Sequence, residues 1–220
     1  MTRWGMVIDL QRCIGCNACT VACKIENATP GDVYYTRVYT EETGTYPDVQ
    51  TTYVPALCNH CEDAPCVSVC PTGASHQRDD GIVLVDEKKC IGCRYCMMAC
   101  PYNERFYIRK GTLETGYHGE RTEFEDAKWS PFTEGTVYKC TFCAHRVDEG
   151  LEPACVVTCP TEARVFGNLE DEESKVSVLI RERGGRGPQS ETGTKSAVYY
   201  LEGKGGASDG RDSAALAARA

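Results

Sequence analysis

Sixteen cysteines sorted into four groups of four are the feature that most restricts what this 220-residue chain can become. The groups are Cys13, Cys16, Cys19, Cys23; then Cys58, Cys61, Cys66, Cys70; then Cys90, Cys93, Cys96, Cys100; and last Cys140, Cys143, Cys155, Cys159, with none left over. The first and third groups share the spacing C-x2-C-x2-C-x3-C. The second widens the middle gap by two residues and the fourth widens it much further. Pro71, Pro101 and Pro160 follow the last cysteine of three groups, while Lys24 follows that of the first. Cysteine makes up about 7% of the chain, short of a disulfide scaffold, and the chain is too long for that class.

The spacing has a chemical reason. It is the run that holds iron–sulfur clusters in bacterial ferredoxins. A [4Fe-4S] cube needs four soft thiolates at its corners, and three cysteines two residues apart wrap a tight loop around three irons, backbone N–H groups facing the sulfides. The fourth, leaving on a helical turn, is placed to serve the other cluster of a two-cluster unit. Proline then starts the exit segment without needing an N–H partner. Zinc is the rival metal, but zinc sites combine two C-x2-C pairs into one tetrahedron, whereas each group here has a third and fourth cysteine at ferredoxin spacing. Iron through all sixteen cysteines is the expectation. His60 and His145 stand beside full thiolate sets and read as hydrogen-bonding or surface groups rather than ligands.

The chain also repeats itself. MVIDLQRCIGCNACTVAC, residues 6–23, aligns with IVLVDEKKCIGCRYCMMAC, residues 82–100; LCNHCEDAPCVSVCPTGA, residues 57–74, aligns with KCTFCAHRVDEGLEPACVVTCPTEA, residues 139–163. The fold expected is α+β: two bacterial two-cluster ferredoxin-like units related by this repeat, with β-hairpin and loop insertions. Residues 1–34 and 136–170 form the outer unit and 56–101 the inner one. Residues 35–55 alternate β-branched and aromatic with polar residues and read as a hairpin insertion. Residues 102–135 lack periodicity and read as a surface loop excursion, ordered against another subunit. Residues 171–202 read as a C-terminal helix and arm: LEDEESKVSVLIRER, 169–183, has acids at its start and arginines at its end, as the macrodipole favours, and SAVYYLEG from Ser196 is a late strand or arm. Residues 203–220 read as a flexible tail.

Composition excludes several functions. The formal charge of −8 approaches about −16 once four thiolate-bound clusters are counted, which excludes nucleic acid as a partner. No secretory or twin-arginine leader is visible, and no apolar run approaches the roughly 18 residues of a membrane span. The stretch GPQSETGTKS, residues 187–196, has the wrong glycine spacing for a phosphate loop. No nucleophile with a base, no dinucleotide fingerprint and no zinc-hydrolase pair is present, so the chain has redox centres and no catalytic residues of its own. A globule of this length is about 45 Å across, which keeps four clusters close together, as in a wire. Arg12, Lys24, Lys89, Arg94, Lys139 and Arg146 recur beside the cysteines; they either raise cluster potentials or are solvated side chains.

Taken together, residues 6–23, CNHCEDAPCVSVCPTGA, CIGCRYCMMACPYNERF and CTFCAHRVDEGLEPACVVTCPTEARVFG resemble the four-cluster electron-transfer (beta) subunits of the dimethyl sulfoxide reductase family of molybdopterin oxidoreductases, the polysulfide, thiosulfate, tetrathionate and arsenate reductase type. The resemblance covers residues 4 to 202 and implies four [4Fe-4S] clusters. It implies that Cys13, Cys16, Cys19 and Cys159 hold the first cluster and Cys23, Cys140, Cys143 and Cys155 the second. Cys58, Cys61, Cys66 and Cys100 would hold the third, and Cys70, Cys90, Cys93 and Cys96 the fourth. It further implies a large molybdopterin catalytic subunit carrying molybdenum or tungsten, and either a membrane quinol subunit or a soluble electron carrier as the other partner. A periplasmic location through co-export with a twin-arginine-bearing partner is the expectation, a cytoplasmic complex the alternative. An independent polyferredoxin is the alternative function.

Overall fold

Short helices and strands alternate along residues 2–202, which the computed structural model describes; the expected flexible tail, 203–220, lies outside the described residues. In chain order they are β1 (Trp4–Asp9), α1 (Ala18–Asn27), β2 (Thr36–Thr45), β3 (Asp48–Leu57), α2 (Pro65–Ser68), β4 (Ser75–Gln77), β5 (Val83–Val85), α3 (Tyr95–Met98), β6 (Phe106–Tyr107) and α4 (Glu123–Lys128). There follow β7 (Val137–Tyr138), α5 (Ala144–Val147), α6 (Ala154–Val157), β8 (Arg164–Asn168), α7 (Lys175–Arg183) and β9 (Val198–Leu201). The mixed content is that of an α+β protein.

β1 is the centre of the largest sheet, antiparallel to β8 and parallel to β9. Covered on both edges and both faces, it reads as a continuous apolar run rather than an alternating one. Its period of two still sorts the faces: Met6 and Ile8 join Phe166, Val198 and Tyr200 in the main core, while Val7 packs with Leu201 on Val176 of α7. Each such buried aliphatic side chain contributes about 2 kcal/mol. β2 and β3 pair over ten positions, from Thr36 with Leu57 to Thr45 with Asp48. The base of this hairpin is buried and its tip, around Tyr46, is exposed. β4 pairs antiparallel with β5, and β6 with β7.

Of the two readings of the segment from Ser196, a late strand or an arm, the strand holds: residues 198–201 pair parallel with β1, and Val198, Tyr200 and Leu201 are buried there. Two expectations need correction. The helix expected over 169–183 begins only at Lys175: Ser174 caps it by accepting the Ser177 N–H at 3.3 Å, and no acid lies in its first turn. The Asp171 carboxylate accepts the Glu173 N–H at 3.0 Å, so the acidic run is a turn ahead of the cap. The 102–135 excursion is ordered on its own chain. Thr122 and Glu125 form a reciprocal capping box at the start of α4, and Trp129 is buried edge-on against Tyr117 at 5.4 Å. The Tyr117 hydroxyl donates to the Thr29 carbonyl just beyond α1, so the excursion returns to the first cysteine group.

Candidate iron–sulfur centres

Each cysteine group closes on a helix that carries its third cysteine: Cys19 on α1, Cys66 on α2, Cys96 on α3 and Cys155 on α6. The fourth cysteine follows four residues later, on the same side about one turn along, so the two thiols aim at successive positions rather than at one. The loops before the helices are wound in the left-handed region. Gly15 and Asn17 of the first group have φ of 69° and 58°, and Gly92 and Arg94 of the third have 67° and 63°. Glycine is required at the first of each pair: a Cβ at Gly92 would lie 2.0 Å from the Gly135 carbonyl oxygen, and one at Gly15 would lie 2.4 Å from the Tyr53 ring. At Asn17 and Arg94 the same winding costs about 1–2 kcal/mol each.

The sixteen thiols gather into four cages, and each cage draws on two groups. Cys13, Cys16, Cys19 and Cys159 line one cavity together with Val38 and Pro55 from the base of the hairpin. Cys70, Cys90, Cys93 and Cys96 line another. Between them, Cys23 has Cys155 and Cys143 as electrostatic neighbours and Cys140 has Cys23 and Cys155. Cys61 in turn has Cys58, Cys66 and Cys100. The cages follow one another: Cys155 neighbours Cys19, and Cys140 neighbours Cys58. In the two cavity cages only Cys19 and Cys96 are buried and Cys16 is exposed. In the other two, every cysteine but Cys100 is buried.

The donor chemistry fits an iron–sulfur cube. Among the described residues, no three Cys, His, Asp or Glu side chains converge on a single ion. A zinc tetrahedron would bring thiolates within about 3.8 Å of one another, whereas a cube holds its four thiolates further apart. Burial pushes Cys61 up to about 12 and Cys155 up to about 11, and raises Cys140 and Cys23 as well, with neighbouring thiols reinforcing the shift. Such thiols ionise when a metal replaces the proton. Cys70 and Cys159 behave oppositely. Burial acts to raise them, but the N–H groups of Ser75 and Ala163, each 3.3 Å from sulfur, and the hydroxyls of Thr72 and Thr161 outweigh it and hold both thiols low. The Asn27 amide donates towards Cys23 and Cys143 sulfurs at 3.5 and 3.8 Å. Arg105 Nε and Nη2 are buried without a hydrogen-bond partner, and the guanidinium has the thiols of Cys66, Cys58 and Cys96 as electrostatic neighbours.

Most of the six basic residues singled out in the sequence are held at the surface. Arg12 pairs with Glu162 at 3.5 Å, Lys89 with Asp86 at 3.4 Å and Arg146 with Glu26 at 3.2 Å, while Arg94 covers the Tyr107 ring at 3.8 Å. Lys24 is a staple: its ammonium donates to the carbonyls of Thr29, Pro30 and Gly31 at 2.7–3.2 Å beneath Tyr34. Only Lys139 is buried. Two cations that sequence reasoning missed are buried as well, Arg105 and Arg164. His60 is buried, accepts the Val83 N–H at 3.0 Å and stacks on Phe142 at 3.7 Å; burial and then Lys139 and Arg105 hold it neutral. His145 pairs with Glu26 at 2.8 Å at the surface. Neither histidine belongs to a cage.

Cages of this spacing on this fold define a ferredoxin-like iron–sulfur protein. The profile of the 4Fe-4S dicluster domain matches residues 49–115 and 127–169, and a second profile of the same description matches residues 12–74. The dimethyl sulfoxide reductase iron-sulfur subunit assigned in Halobacterium salinarum is 45% identical over 217 residues, covering 93% of this chain and 80% of that one. The arsenate respiratory reductase iron-sulfur subunit of a Shewanella species is 43% identical over 224 residues, covering 90% and 96%. A tetrathionate reductase subunit of Salmonella typhimurium is 41% identical over 203 residues, covering 90% and 72%. The chain belongs to the family of iron–sulfur subunits of dimethyl sulfoxide reductase-type complexes. It is an electron-transfer protein with four [4Fe-4S] clusters, two for each dicluster domain.

Proposed function

We propose that this chain is the relay between a large molybdopterin catalytic subunit, carrying molybdenum or tungsten, and a second redox partner, either a membrane quinol subunit or a soluble carrier. The observation that carries the reading is that thiols of neighbouring cages act on one another, Cys19 on Cys155 and Cys58 on Cys140, while two of the four cages leave most of their cysteines half-buried or exposed. Electrons enter at one exposed end and leave at the other. The clusters supply the one-electron chemistry; the chain positions them, excludes water from the middle pair and directs N–H groups and cations at them. Cys13, Cys16, Cys19 and Cys159 hold the first cluster; Cys23, Cys140, Cys143 and Cys155 the second; Cys58, Cys61, Cys66 and Cys100 the third; and Cys70, Cys90, Cys93 and Cys96 the fourth.

The two ferredoxin-like units are related by an internal repeat. The reading is supported by matching pairings: the strand before the first group, β1, lies antiparallel to the strand after the fourth, β8, and the strand before the third group, β5, lies antiparallel to the strand after the second, β4. The location proposed is the periplasmic side, reached by co-export with a leader-bearing catalytic partner; a cytoplasmic complex is the alternative, and fractionation decides between them. Anaerobic purification from the native host tests the whole reading. It should yield about sixteen irons with matching sulfide per chain, paramagnetic signals after dithionite, and a large molybdenum- or tungsten-bearing companion. Zinc without sulfide would exclude the clusters, and isolation without a large companion would favour a free polyferredoxin.

A further inference from the structure

Arg164, Lys139 and Arg105 are 3, 2 and 3% exposed, the most deeply buried cations among the described residues, and each stands between two successive cages. The Arg164 guanidinium lies 3.6 Å from the Cys155 sulfur and 2.8 Å from the Thr36 hydroxyl, with Cys19 and Cys140 as further electrostatic neighbours; it thus faces the first and second cages together. Lys139 donates to the Cys140 carbonyl at 2.7 Å and acts on the thiols of both Cys140 and Cys66, in the second and third cages. Arg105 donates to the Ser75 hydroxyl at 2.8 Å and has Cys66 and Cys58 on one side and Cys96 on the other, in the third and fourth cages.

None of the three pairs with a carboxylate among the described residues, although carboxylates pair with many surface cations of this chain. A buried cation without an anion is strongly destabilising. The anions these three face are the thiolate-bound clusters. Two buried Arg105 nitrogens without protein partners are what a group made to face cluster sulfur leaves behind.

We propose that Arg164, Lys139 and Arg105 form a ladder of fixed positive charges, one at each of the three junctions between clusters, that raises the potentials of the clusters on both sides and so keeps neighbouring clusters close enough in potential for electrons to cross. The step is the addition of one electron to a cluster, with no bond made or broken. Because each cation is already in place beside the clusters, no counter-charge needs to follow the electron into the dry middle of the chain. The three are positioning residues, acting through the clusters. The inference rests on the cage assignment proposed above.

The test is a potentiometric titration of the anaerobically purified full-length chain, followed by paramagnetic resonance and iron content. Arg164→Gln, Lys139→Gln and Arg105→Gln are compared with Arg164→Lys, Lys139→Arg and Arg105→Lys. Each glutamine variant should keep four clusters while two of its four reduction equilibria fall at least tenfold, a shift of about 59 mV for one electron. The other two should stay in place. The charge-retaining variants should lie within threefold of wild type. Glutamine variants that hold four clusters and titrate like wild type overturn the proposal, as do variants in which all four potentials move equally. Failure of all three glutamine variants to assemble four clusters assigns the residues a purely structural role and overturns it too. A wild-type chain with fewer than four clusters instead refutes the cage assignment, which keeps the two failures apart.

Discussion

The end cages and the middle cages of this chain stabilise the same ligand by different means. At the ends, Cys70 and Cys159 lie near water and are held low by peptide N–H groups and threonine hydroxyls of the Cys-Pro-Thr turns. In the middle, Cys140 and Cys155 are fully buried, their thiols are pushed up, and the charges that oppose the shift come from Lys139 and Arg164. Local backbone dipoles suffice where solvent shares the charge. Where solvent is absent, a full counter-charge has to be built in. The difference also bears on which part of the molecule depends on its clusters for folding: each end cage commits one cysteine, Cys19 or Cys96, to the buried core, whereas the middle cages bury every cysteine but Cys100.

The largest expected effect follows from that last point. Cys140→Ser removes a thiolate from the centre of the main core, so iron should fall well below the roughly twelve atoms that loss of one cluster alone would leave, with a matching loss of folded protein. Cys16→Ser, at an exposed end, should keep about twelve or more irons and a folded chain. Iron analysis and circular dichroism on anaerobic samples read both. Equal losses in the two variants would remove the distinction between end and middle.

Phe142→Ala probes the same middle without touching a ligand. The ring stacks on His60 at 3.7 Å and meets Phe166 edge-on at 5.4 Å, joining the second and fourth cysteine groups to the β1 sheet. Its truncation should cost about 3–5 kcal/mol in denaturant unfolding of the loaded chain. A loss under about 1 kcal/mol would mean that the middle is held by its clusters and not by packing.

These contrasts were only partly legible in the sequence. The cysteine spacing announced the cages, and the alternation over residues 35–55 announced a hairpin, because both are periodic and local. The buried cations were not announced, since spacing does not say whether an arginine turns inward. A faint signal exists: Arg164 follows Cys-Pro-Thr-Glu-Ala where the second group has Ser75 after Cys-Pro-Thr-Gly-Ala, and Ser75 is the residue that Arg105 reaches. The Thr122–Glu125 capping box was written in the sequence as T-x-x-E but stood in a stretch without apolar period, so the excursion looked structureless. The place of β9 beside β1 depends on a pairing nearly two hundred residues apart, which no local pattern encodes.

Glu104 sharpens the comparison at a smaller scale, because it shows what the middle does to a charge of the wrong sign. Burial pushes its carboxyl up to about 7, against the opposing pull of Arg37 at 3.6 Å. A raised carboxyl binds its proton more tightly in the folded state, so folding is favoured below the unfolded value near 4.3 and loses stability as pH rises towards 7. Between pH 6 and 8 the loss should be about 1–2 kcal/mol in the wild-type chain and absent in Glu104→Gln. Denaturant midpoints at the two pH values measure it. A wild-type midpoint that does not fall across that window would show that Glu104 is ionised in the folded chain.

The smallest effect belongs to the exposed end. Met98 follows Cys96 by two residues and is 75% exposed, whereas Met6 in β1 is 0% exposed, so the same side chain serves as surface in one place and core in the other. Met98→Ser should leave the stability of the isolated chain within about 0.5 kcal/mol, while Met6→Ala should cost about 2–5 kcal/mol. Ile91 and Tyr95 crowd the same exposed turn around the fourth cysteine cage. An apolar surface that contributes nothing to the chain's own folding is suited to a covering partner, so Met98→Ser should weaken association with the electron partner at that end more than it weakens the fold. A denaturant shift as large as that of Met6→Ala would instead place the turn inside the folding core and erase the difference between end and middle.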